Sequence, residues 1–492
     1  MHIELANRRW TEEELFEVRQ EVLAQWPTGK EVDLDEALDY CRKVPPEKNG
    51  YFQIKEAERQ GKILIDVAIG LGTLEDTIGE VEDIPSELKP DEWSVFSDAY
   101  TRKCRFEQAQ VGIDRSYKEG YPVLTGYPIV NYGIKGARKL FESVDSSIYL
   151  NASDEDARLQ VEIALASGWS RIFSQSLHDL TQHSKDYPLD RRIQNAQYID
   201  RLVSYYIGRG IPICTLLAGN LTGWNTLSYK ITLDVLQALL AAEQGAKFLR
   251  PLVSMCLNIV QDVAANRAMM KLIREYMDKF GYHDVEVFNK GYPWQGAWPP
   301  DVFGMAGVAA LCDTIGLLQG VLSLRLRSLN EAIAVPNREG NLQTLRVAKQ
   351  VLGSLKGQRM PESEELRVEQ EMIEKEVRAT VDKVLEIGDG DVAVGMVKAA
   401  ERGILDCNFS PWIYYQGKVL TVRDKEGALR YLEYGNLPLP KEVVEYHKEK
   451  ITERERAEGK KVDLDTMITD LYWISDVALK DETKELLEHT KI

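Results

Sequence analysis

The sequence lacks the long apolar segments that a membrane span or a secretory signal requires. No uninterrupted apolar run approaches the roughly 18 to 20 residues of a transmembrane helix. The amino-terminal stretch MHIELANRRWTEEEL carries charges where a signal peptide would be apolar. The sequence therefore predicts a cytoplasmic protein that is not held in a membrane.

Positive charge is also scarce. The 492 residues contain 61 lysines and arginines against 78 aspartates and glutamates, which gives a formal charge of −17 and a pI of about 5.1. General nucleic-acid binding needs a basic surface, so a nucleic-acid binder is not expected. A local basic pocket for a small anion is compatible with this balance.

The cysteines are few and scattered, with no C-x-x-C pair. Such spacing indicates neither a zinc site nor a disulfide framework. Because isolated cysteines are usually buried, we expect free thiols in the core. The positions are Cys41, Cys104, Cys214, Cys256, Cys312 and Cys407.

Metal and nucleotide motifs are missing as well. His178 and His183 approach the spacing of metal ligands, but the surrounding SLHDLTQHSKDYP is polar and loop-like, which favours a solvated loop. The sequence contains neither a G-x-S-x-G nucleophile elbow nor a P-loop. No metal is therefore predicted.

What the sequence does contain is a regular alternation of short apolar runs and amphipathic helical patterns. This alternation predicts parallel βαβ units. Eight units would close a TIM barrel, with an open doubly wound sheet as the alternative. Two strands, near Val95–Phe96 and Ser170–Phe173, lack a clear signal. The clear apolar runs are residues 62–70, 123–124, 147–150, 211–217, 248–253, 284–288 and 321–326.

The predicted fold is an α/β TIM barrel with additions at both ends. Residues 1–58 read as a helical arm, whose first helix opens with the capping box Thr11 to Glu14. Residues 59–340 would form the barrel. Residues 341–492 would form a mixed extension of helices and one hairpin that turns at Lys425–Gly427.

The stretch PVLTGYPIVNYGIKGAR, residues 122–138, resembles one βα unit of such a barrel. Val123 and Leu124 are read as the end of a strand, followed by a glycine-rich turn and a helix. Chemistry in these barrels lies where strand meets loop, so a site is expected between Thr125 and Gly133. A packed turn without a function is the alternative.

Three charged residues are candidates for binding at the barrel mouth. Arg102 follows a possible strand, and a guanidinium there could bind a carboxylate with two hydrogen bonds. Glu331 lies just past the last barrel strand, four residues after Arg327. A surface arginine and an ordinary ion pair are the simpler interpretations.

Several segments together resemble the epsilon subunit family of glutamate mutase, also called methylaspartate mutase. They occur in the same order along nearly the whole chain. The segments are WPTGKEVDL (26–34), DAYTR (98–102), VNYGIKGARK (130–139), LLAAEQG (239–245), GQRMP (357–361), VRD (422–424) and RYLEYGN (430–436).

This resemblance implies a TIM barrel whose mouth is closed by a small, flavodoxin-like sigma subunit that carries adenosylcobalamin. It also implies a homodimer of this chain and a radical isomerisation of L-glutamate to 3-methylaspartate. The sigma subunit's histidine lies in a D-x-H-x-x-G motif. This chain has no such motif, in agreement with two separate subunits.

The substrate-binding positions depart from the family pattern. Of three arginines that grip the substrate carboxylates in the family, Arg102 matches, while Ala68 and Asn151 stand at the other two positions. The family's N-E-G-G-G loop, with its amine-binding glutamate, is replaced by a segment within residues 170–187 that lacks glutamate. Ala218 replaces a phenylalanine.

The positions that face the cofactor are better preserved. Asn131 and Glu331 match the family, and Arg327 stands where the family has a lysine near the adenosyl group. The resemblance therefore implies Arg102 as a substrate-binding residue and Asn131, Arg327 and Glu331 as cofactor-binding residues.

Two functions follow from this pattern. The first is the large subunit of an adenosylcobalamin-dependent carbon-skeleton mutase, acting on glutamate or a relative. The second is a diverged, non-catalytic barrel that binds a small molecule or a partner. Each lost arginine contact is worth about 1.5–3 kcal/mol, so glutamate binding is expected to be weak.

Overall fold

A computed structural model describes residues 4–152, 155–174, 182–331 and 335–475. The described strands are β1 (Leu64–Ile69), β2 (Glu92–Phe96), β3 (Ser147–Asn151), β4 (Arg171–Ser174), β5 (Cys214–Ala218), β6 (Phe248–Ser254), β7 (Glu286–Val287), β8 (Lys290–Tyr292), β9 (Ser323–Arg325), β10 (Val419–Arg423) and β11 (Leu429–Tyr434).

Helices alternate with these strands and continue past them. The described α-helices are α1 (Glu12–Leu23), α2 (Leu34–Cys41), α3 (Gly50–Gln60), α4 (Leu74–Gly79), α5 (Phe106–Glu119), α6 (Ile129–Glu142), α7 (Arg158–Ala166), α8 (Leu189–Ile207), α9 (Leu227–Gln244), α10 (Ile259–Lys279), α11 (Val302–Gln319), α12 (Arg338–Ser354), α13 (Glu364–Ile387), α14 (Val392–Glu401), α15 (Lys441–Glu458) and α16 (Leu464–Asp470).

The strands β1 to β9 close into a parallel barrel of eight strand positions. Neighbours in sequence are neighbours in the barrel, and β9 pairs with β1 to complete the ring. The short strands β7 and β8 both pair with β6 and together occupy one position. The predicted TIM barrel is confirmed, and the open doubly wound sheet is excluded by this closure.

One predicted strand was wrong. Val123 and Leu124 lie in a loop, and the strand position beside β1 and β3 is filled by β2. Two apolar residues after a proline are too few to form a buried strand that pairs with neighbours on both sides. The Val123 amide donates to Ser116 Oγ of α5 at 2.9 Å instead. The two strands without a clear sequence signal are β2 and β4.

Alternate residues of each strand point into the barrel, as the twofold period of a strand requires. Near the carboxyl ends of the strands, the lumen is filled by a cluster of apolar and aromatic side chains. Its members are Tyr149, Phe173, Leu216, Ala218, Leu221, Leu252 and Tyr292. Nearer the amino ends, charged side chains take these positions.

The amino-terminal arm closes the bottom of the barrel and wraps its side. Thr11 and Glu14 form the predicted capping box at the start of α1. Helices α1 and α2 pack against α7. Helix α3 covers the amino ends of the strands, where Ile54 and Ala57 pack with Leu64 of β1.

The carboxyl-terminal extension lies on the helical layer and at the mouth. Helix α13 packs along α10 and α9. The antiparallel strands β10 and β11 form the predicted hairpin. Arg430 of β11 anchors it, because its guanidinium donates to both oxygens of Glu369 on α13, at 2.8 and 2.9 Å.

Helix α11 is the one described helix that is long and apolar enough to cross a membrane by length and composition. It packs against α10, α12 and β8 in the outer layer of the barrel. Asp313, on its buried side, interrupts the apolar sequence.

The prediction of buried thiols holds at five positions and is wrong at Cys104, which is exposed. Cys104 ends the short 3-10 helix Thr101–Lys103 in the left-handed conformation, with φ of 52°. The turn projects it from the surface.

Candidate active site

A network of ion pairs fills the lower lumen, centred on Glu92 of β2. Its carboxylate pairs with Arg171 of β4, Arg250 of β6 at 3.3 Å and Lys290 of β8 at 3.7 Å. All four side chains are fully buried. Burial alone would raise the pKa of Glu92, but the three cations outweigh burial and hold the pKa at about 2.

Asp66 of β1 is the second carboxylate of the lumen. It pairs with Lys290 and, at 3.2 Å, with Arg325 of β9. The hydroxyl of Tyr149 donates to the same carboxylate at 2.8 Å. Lys290 therefore bridges both carboxylates, and burial lowers its pKa more than they raise it.

Arg325 stands at the upper end of this network. Its side chain is 3% exposed, and its guanidinium lies 5.4 Å from the centre of the Phe96 ring. Burial acts to lower its pKa, but Asp66 and the more distant Glu331 raise it, so the group stays charged.

The two positions at which the resemblance predicts arginines face the lumen with small, uncharged side chains. Ala68 lies two residues beyond Asp66 on β1, and Asn151 lies two residues beyond Tyr149 on β3. Both are buried. The Asn151 amide approaches Ser94 Oγ at 3.4 Å, so neither position supplies a charge.

Arg102 lies just beyond the carboxyl end of β2, in the 3-10 helix Thr101–Lys103. Its Nε donates to the Ser97 carbonyl at 2.9 Å, which fixes the guanidinium at the mouth. No carboxylate of the described residues forms an ion pair with it. Among the described residues, the hydrogen bond of the Arg102 side chain is made by Nε, so its two terminal nitrogen atoms are the candidates for a ligand contact.

Arg327 and Glu331 lie together beyond β9, with Nε and Oε1 3.6 Å apart. The Arg327 guanidinium also donates to the Trp294 carbonyl at 3.3 Å and lies over the Trp298 ring. Glu331 Oε2 and Arg327 Nε are buried without a hydrogen-bond partner. Such buried polar atoms are costly unless a ligand pairs with them.

Asn131 lies away from that pair, in the first turn of α6. Its side-chain amide donates to the Phe106 carbonyl at 2.9 Å and to Gln110 at 3.2 Å, both on α5. Its Oδ1 is buried without a hydrogen-bond partner. Of the four residues expected at the site, only Arg327 and Glu331 are in contact.

The stretch from Thr125 to Gly133 lies beside the carboxyl end of β2. The strand predicted immediately before it, at Val123 and Leu124, is a loop. The Tyr127 amide donates to the Phe96 carbonyl at 2.8 Å. Gly126 is required there, because a Cβ would stand 2.6 Å from the Asp98 nitrogen. Gly133, with φ of 60°, kinks α6.

The hairpin of β10 and β11 covers the mouth on the side of β5, β6 and β8. Arg423 is buried there, donating to the Cys256 carbonyl at 3.0 Å and lying 5.2 Å from the centre of the Trp294 ring. Thr421 donates to the Trp224 carbonyl beyond β5. The extension therefore forms part of the wall around the mouth.

Sequence reasoning missed the lumen network, including Arg325. A signal was present, because Ser323, Arg325 and Arg327 are polar at every second position of an otherwise apolar run. In a barrel strand, that period places them on the lumen side.

The possible metal pair was not expected to bind metal. His178 lies outside the described residues, together with the rest of 175–181. In the remaining chain, no group of three histidine, cysteine, aspartate or glutamate side chains could hold a metal ion. Burial, together with the nearby charges of Arg102 and Lys103, lowers the pKa of His183 to about 4.

Comparison with known proteins gives matches along nearly the full chain. Residues 44–482 match the family described as methylaspartate mutase E chain. Proteins named glutamate mutase epsilon subunit are 36% identical in Treponema denticola and 35% identical in Desulfitobacterium hafniense, each covering 96% of this chain and 98% of the relative. A relative of that name from Haloarcula marismortui is 31% identical, covering 96% of this chain and 95% of the relative.

Proposed function

The chain belongs to the methylaspartate mutase E chain family, and from this premise we propose that it is the large subunit of an adenosylcobalamin-dependent carbon-skeleton mutase. The reaction is an intramolecular isomerisation of the glutamate mutase type, from L-glutamate to 3-methylaspartate or a related rearrangement. The observation that carries this proposal is the collinear match over 96% of the chain to proteins of that name.

The residues at the mouth fit the adenosyl group of such a cofactor. Arg327 Nε, Glu331 Oε2 and Asn131 Oδ1 are buried polar atoms without hydrogen-bond partners. Ribose hydroxyls both donate and accept, so they could pair with the carboxylate and the guanidinium. We assign Arg327 and Glu331 to the adenosyl group and Asn131 to the same cofactor from α6.

Adenosylcobalamin, carried by a separate subunit, would supply the carbon-centred radical that removes a hydrogen atom from the substrate. This chain's residues bind the substrate and keep water away. Arg102, held by the Ser97 carbonyl, presents two nitrogen atoms to a substrate carboxylate. The closed barrel, covered below by α3, surrounds the reacting groups with protein.

A sigma-type subunit is the proposed partner, seated on the mouth. Relatives are named as epsilon subunits, which implies an assembly of different chains. Large apolar side chains are exposed around this face, and they could pack against that partner. They are Tyr100, Phe303, Phe409, Ile413 and Tyr414. We further propose a homodimer of this chain and a cytoplasmic location.

L-glutamate itself is expected to be a poor substrate. Two arginine contacts are absent at Ala68 and Asn151, and each is worth about 1.5–3 kcal/mol. The closed barrel, Asn131 and Glu331 are retained, and Arg327 keeps the positive charge of the family's lysine. We therefore infer that the substrate has changed and that the radical chemistry has not.

Turnover tests the proposed function directly. The full chain, a sigma-type subunit and adenosylcobalamin are combined with L-glutamate and a panel of amino and hydroxy acids. A cobalt(II) radical signal and a rearranged product for at least one acid are expected. Arg102→Met should abolish the signal, and Arg346→Met, an exposed arginine on α12, should leave it unchanged. No signal with any acid would refute the proposal.

A further inference from the structure

The lumen carries more positive than negative charge. Four basic side chains, Arg171, Arg250, Lys290 and Arg325, share two carboxylates. Four minus two leaves two positive charges uncompensated, and all six side chains are at most 3% exposed. No other carboxylate in the described parts of the chain forms an ion pair with these four groups.

Buried charge without a partner is strongly unfavourable, because water no longer solvates it. Surface counterions do not reach groups at this depth. An anion that enters the lumen from the mouth would relieve the imbalance, and it would bind most strongly to a cation with unused hydrogen-bond donors.

Arg325 has such donors. Its Nη1 donates to Asp66 at 3.2 Å, and no described acceptor pairs with its Nε or Nη2. Arg325 lies beside Asp66 of β1, and the next lumen position on that strand is the small, uncharged Ala68. Arg325 also interacts electrostatically with Glu331 beyond the strand, so it lies between the network and the mouth.

We propose that Arg325 binds a carboxylate of the substrate in the lumen, and that the substrate is a dicarboxylate dianion without an ammonium group. This contact replaces those of the arginines that are absent at positions 68 and 151. The excess of two positive charges matches a dianion better than a zwitterionic amino acid such as L-glutamate, whose net charge is −1. This inference rests on the proposed function in one respect, namely that the bound dicarboxylate is the substrate of the mutase. Binding of a dicarboxylate at Arg325 does not depend on it.

The test uses three matched probes and calorimetric titration of the full chain. Glutarate carries both carboxylates, L-glutamate adds an ammonium group, and glutaramate replaces one carboxylate by an amide. Glutarate is expected to bind at least about tenfold more tightly than glutaramate, since one charge-assisted contact is worth about 1.5–3 kcal/mol. It is also expected to bind more tightly than L-glutamate, because the ammonium group adds a positive charge to a lumen that already has an excess of positive charge.

Variants assign the binding to Arg325. Arg325→Lys keeps the charge and loses the fork of donors, so glutarate affinity should fall roughly tenfold or more. Arg325→Met should remove detectable binding, and if it fails to fold, Arg325→Lys decides. Arg346→Met, on the exposed face of α12, is the matched control with unchanged affinity.

Three outcomes would overturn the inference: glutarate that does not bind the wild-type chain, glutarate that binds Arg325→Lys unchanged, or L-glutamate that binds more tightly than glutarate. These outcomes are separable from failure of the proposed function. A chain without mutase activity that still binds glutarate through Arg325 refutes the enzyme and supports the binding site.

Discussion

Removing the Glu92 carboxylate should strongly destabilise the barrel. Glu92→Gln leaves Arg171 and Arg250 buried with no charge opposite them, and leaves Lys290 with Asp66 alone. Breaking a buried pair from one side typically costs about 3–5 kcal/mol. A second estimate comes from titration: a pKa of about 2 in the folded chain against 4.5 for an ordinary glutamate corresponds to about 3 kcal/mol.

The same pKa shift fixes the sign of the pH dependence. Because folding lowers the pKa of Glu92, its contribution is present above pH 4.5 and is lost as pH falls towards 2. The wild-type chain should therefore lose stability on acidification through this window. Glu92→Gln should show a shallower loss, since it has no proton to take up at this position.

Urea unfolding at pH 7, followed by tryptophan fluorescence, measures the free energy of unfolding of each variant. The matched control is Glu36→Gln, because Glu36 also receives two hydrogen bonds from one arginine, Arg138, at 2.7 and 2.6 Å, but its side chain is 52% exposed. An exposed pair contributes about 0–1 kcal/mol. Equal losses in the two variants would refute the account of the lumen network.

Three further perturbations follow from single contacts. Burial raises the pKa of Glu80 to about 8 while its carboxyl accepts a hydrogen bond from the Gly70 amide, so the free energy of unfolding should fall as pH rises from 4.5 through 8. Glu80→Gln should flatten this loss when thermal unfolding is followed against pH. An unchanged dependence of stability on pH would contradict the assignment. Gly126→Ala should cost about 1–3 kcal/mol in urea unfolding, because its Cβ would lie 2.6 Å from the Asp98 nitrogen; a wild-type midpoint would show that the loop relaxes freely. Arg102→Lys should reduce kcat/KM roughly tenfold or more by loss of the bidentate contact, and equal activity would exclude Arg102 from carboxylate binding.

The fold was predictable where apolar runs are long. Leu64–Ile69 and Phe248–Ser254 read as buried strands and are strands. The strands β2 and β4 gave no clear signal because each carries a charged lumen residue, Glu92 or Arg171. A charge inside a short apolar run normally indicates an exposed segment. Here the partners that neutralise it come from strands distant in sequence.

The candidate site was predictable only in part, and for a related reason. Arg327 and Glu331 are four residues apart, so their contact follows from local spacing. Arg325 is held by a hydrogen-bonded ion pair with Asp66, which lies 259 positions earlier in the chain. That pairing depends on the closure of β9 against β1, which no local pattern specifies.

The hairpin over the mouth has a consequence for the order of synthesis. Residues through β9 can close the ring, but Arg423 and Thr421 reach the mouth only after the chain has been translated through β10 and β11. From Arg325 to Tyr434 the ribosome adds 434 − 325 = 109 residues, which takes roughly 5–20 s at about 5–20 residues per second. During that interval the nascent barrel lacks the Arg423 side chain that later lies 5.2 Å from the centre of the Trp294 ring. Chaperones therefore have a defined time in which this face is their target.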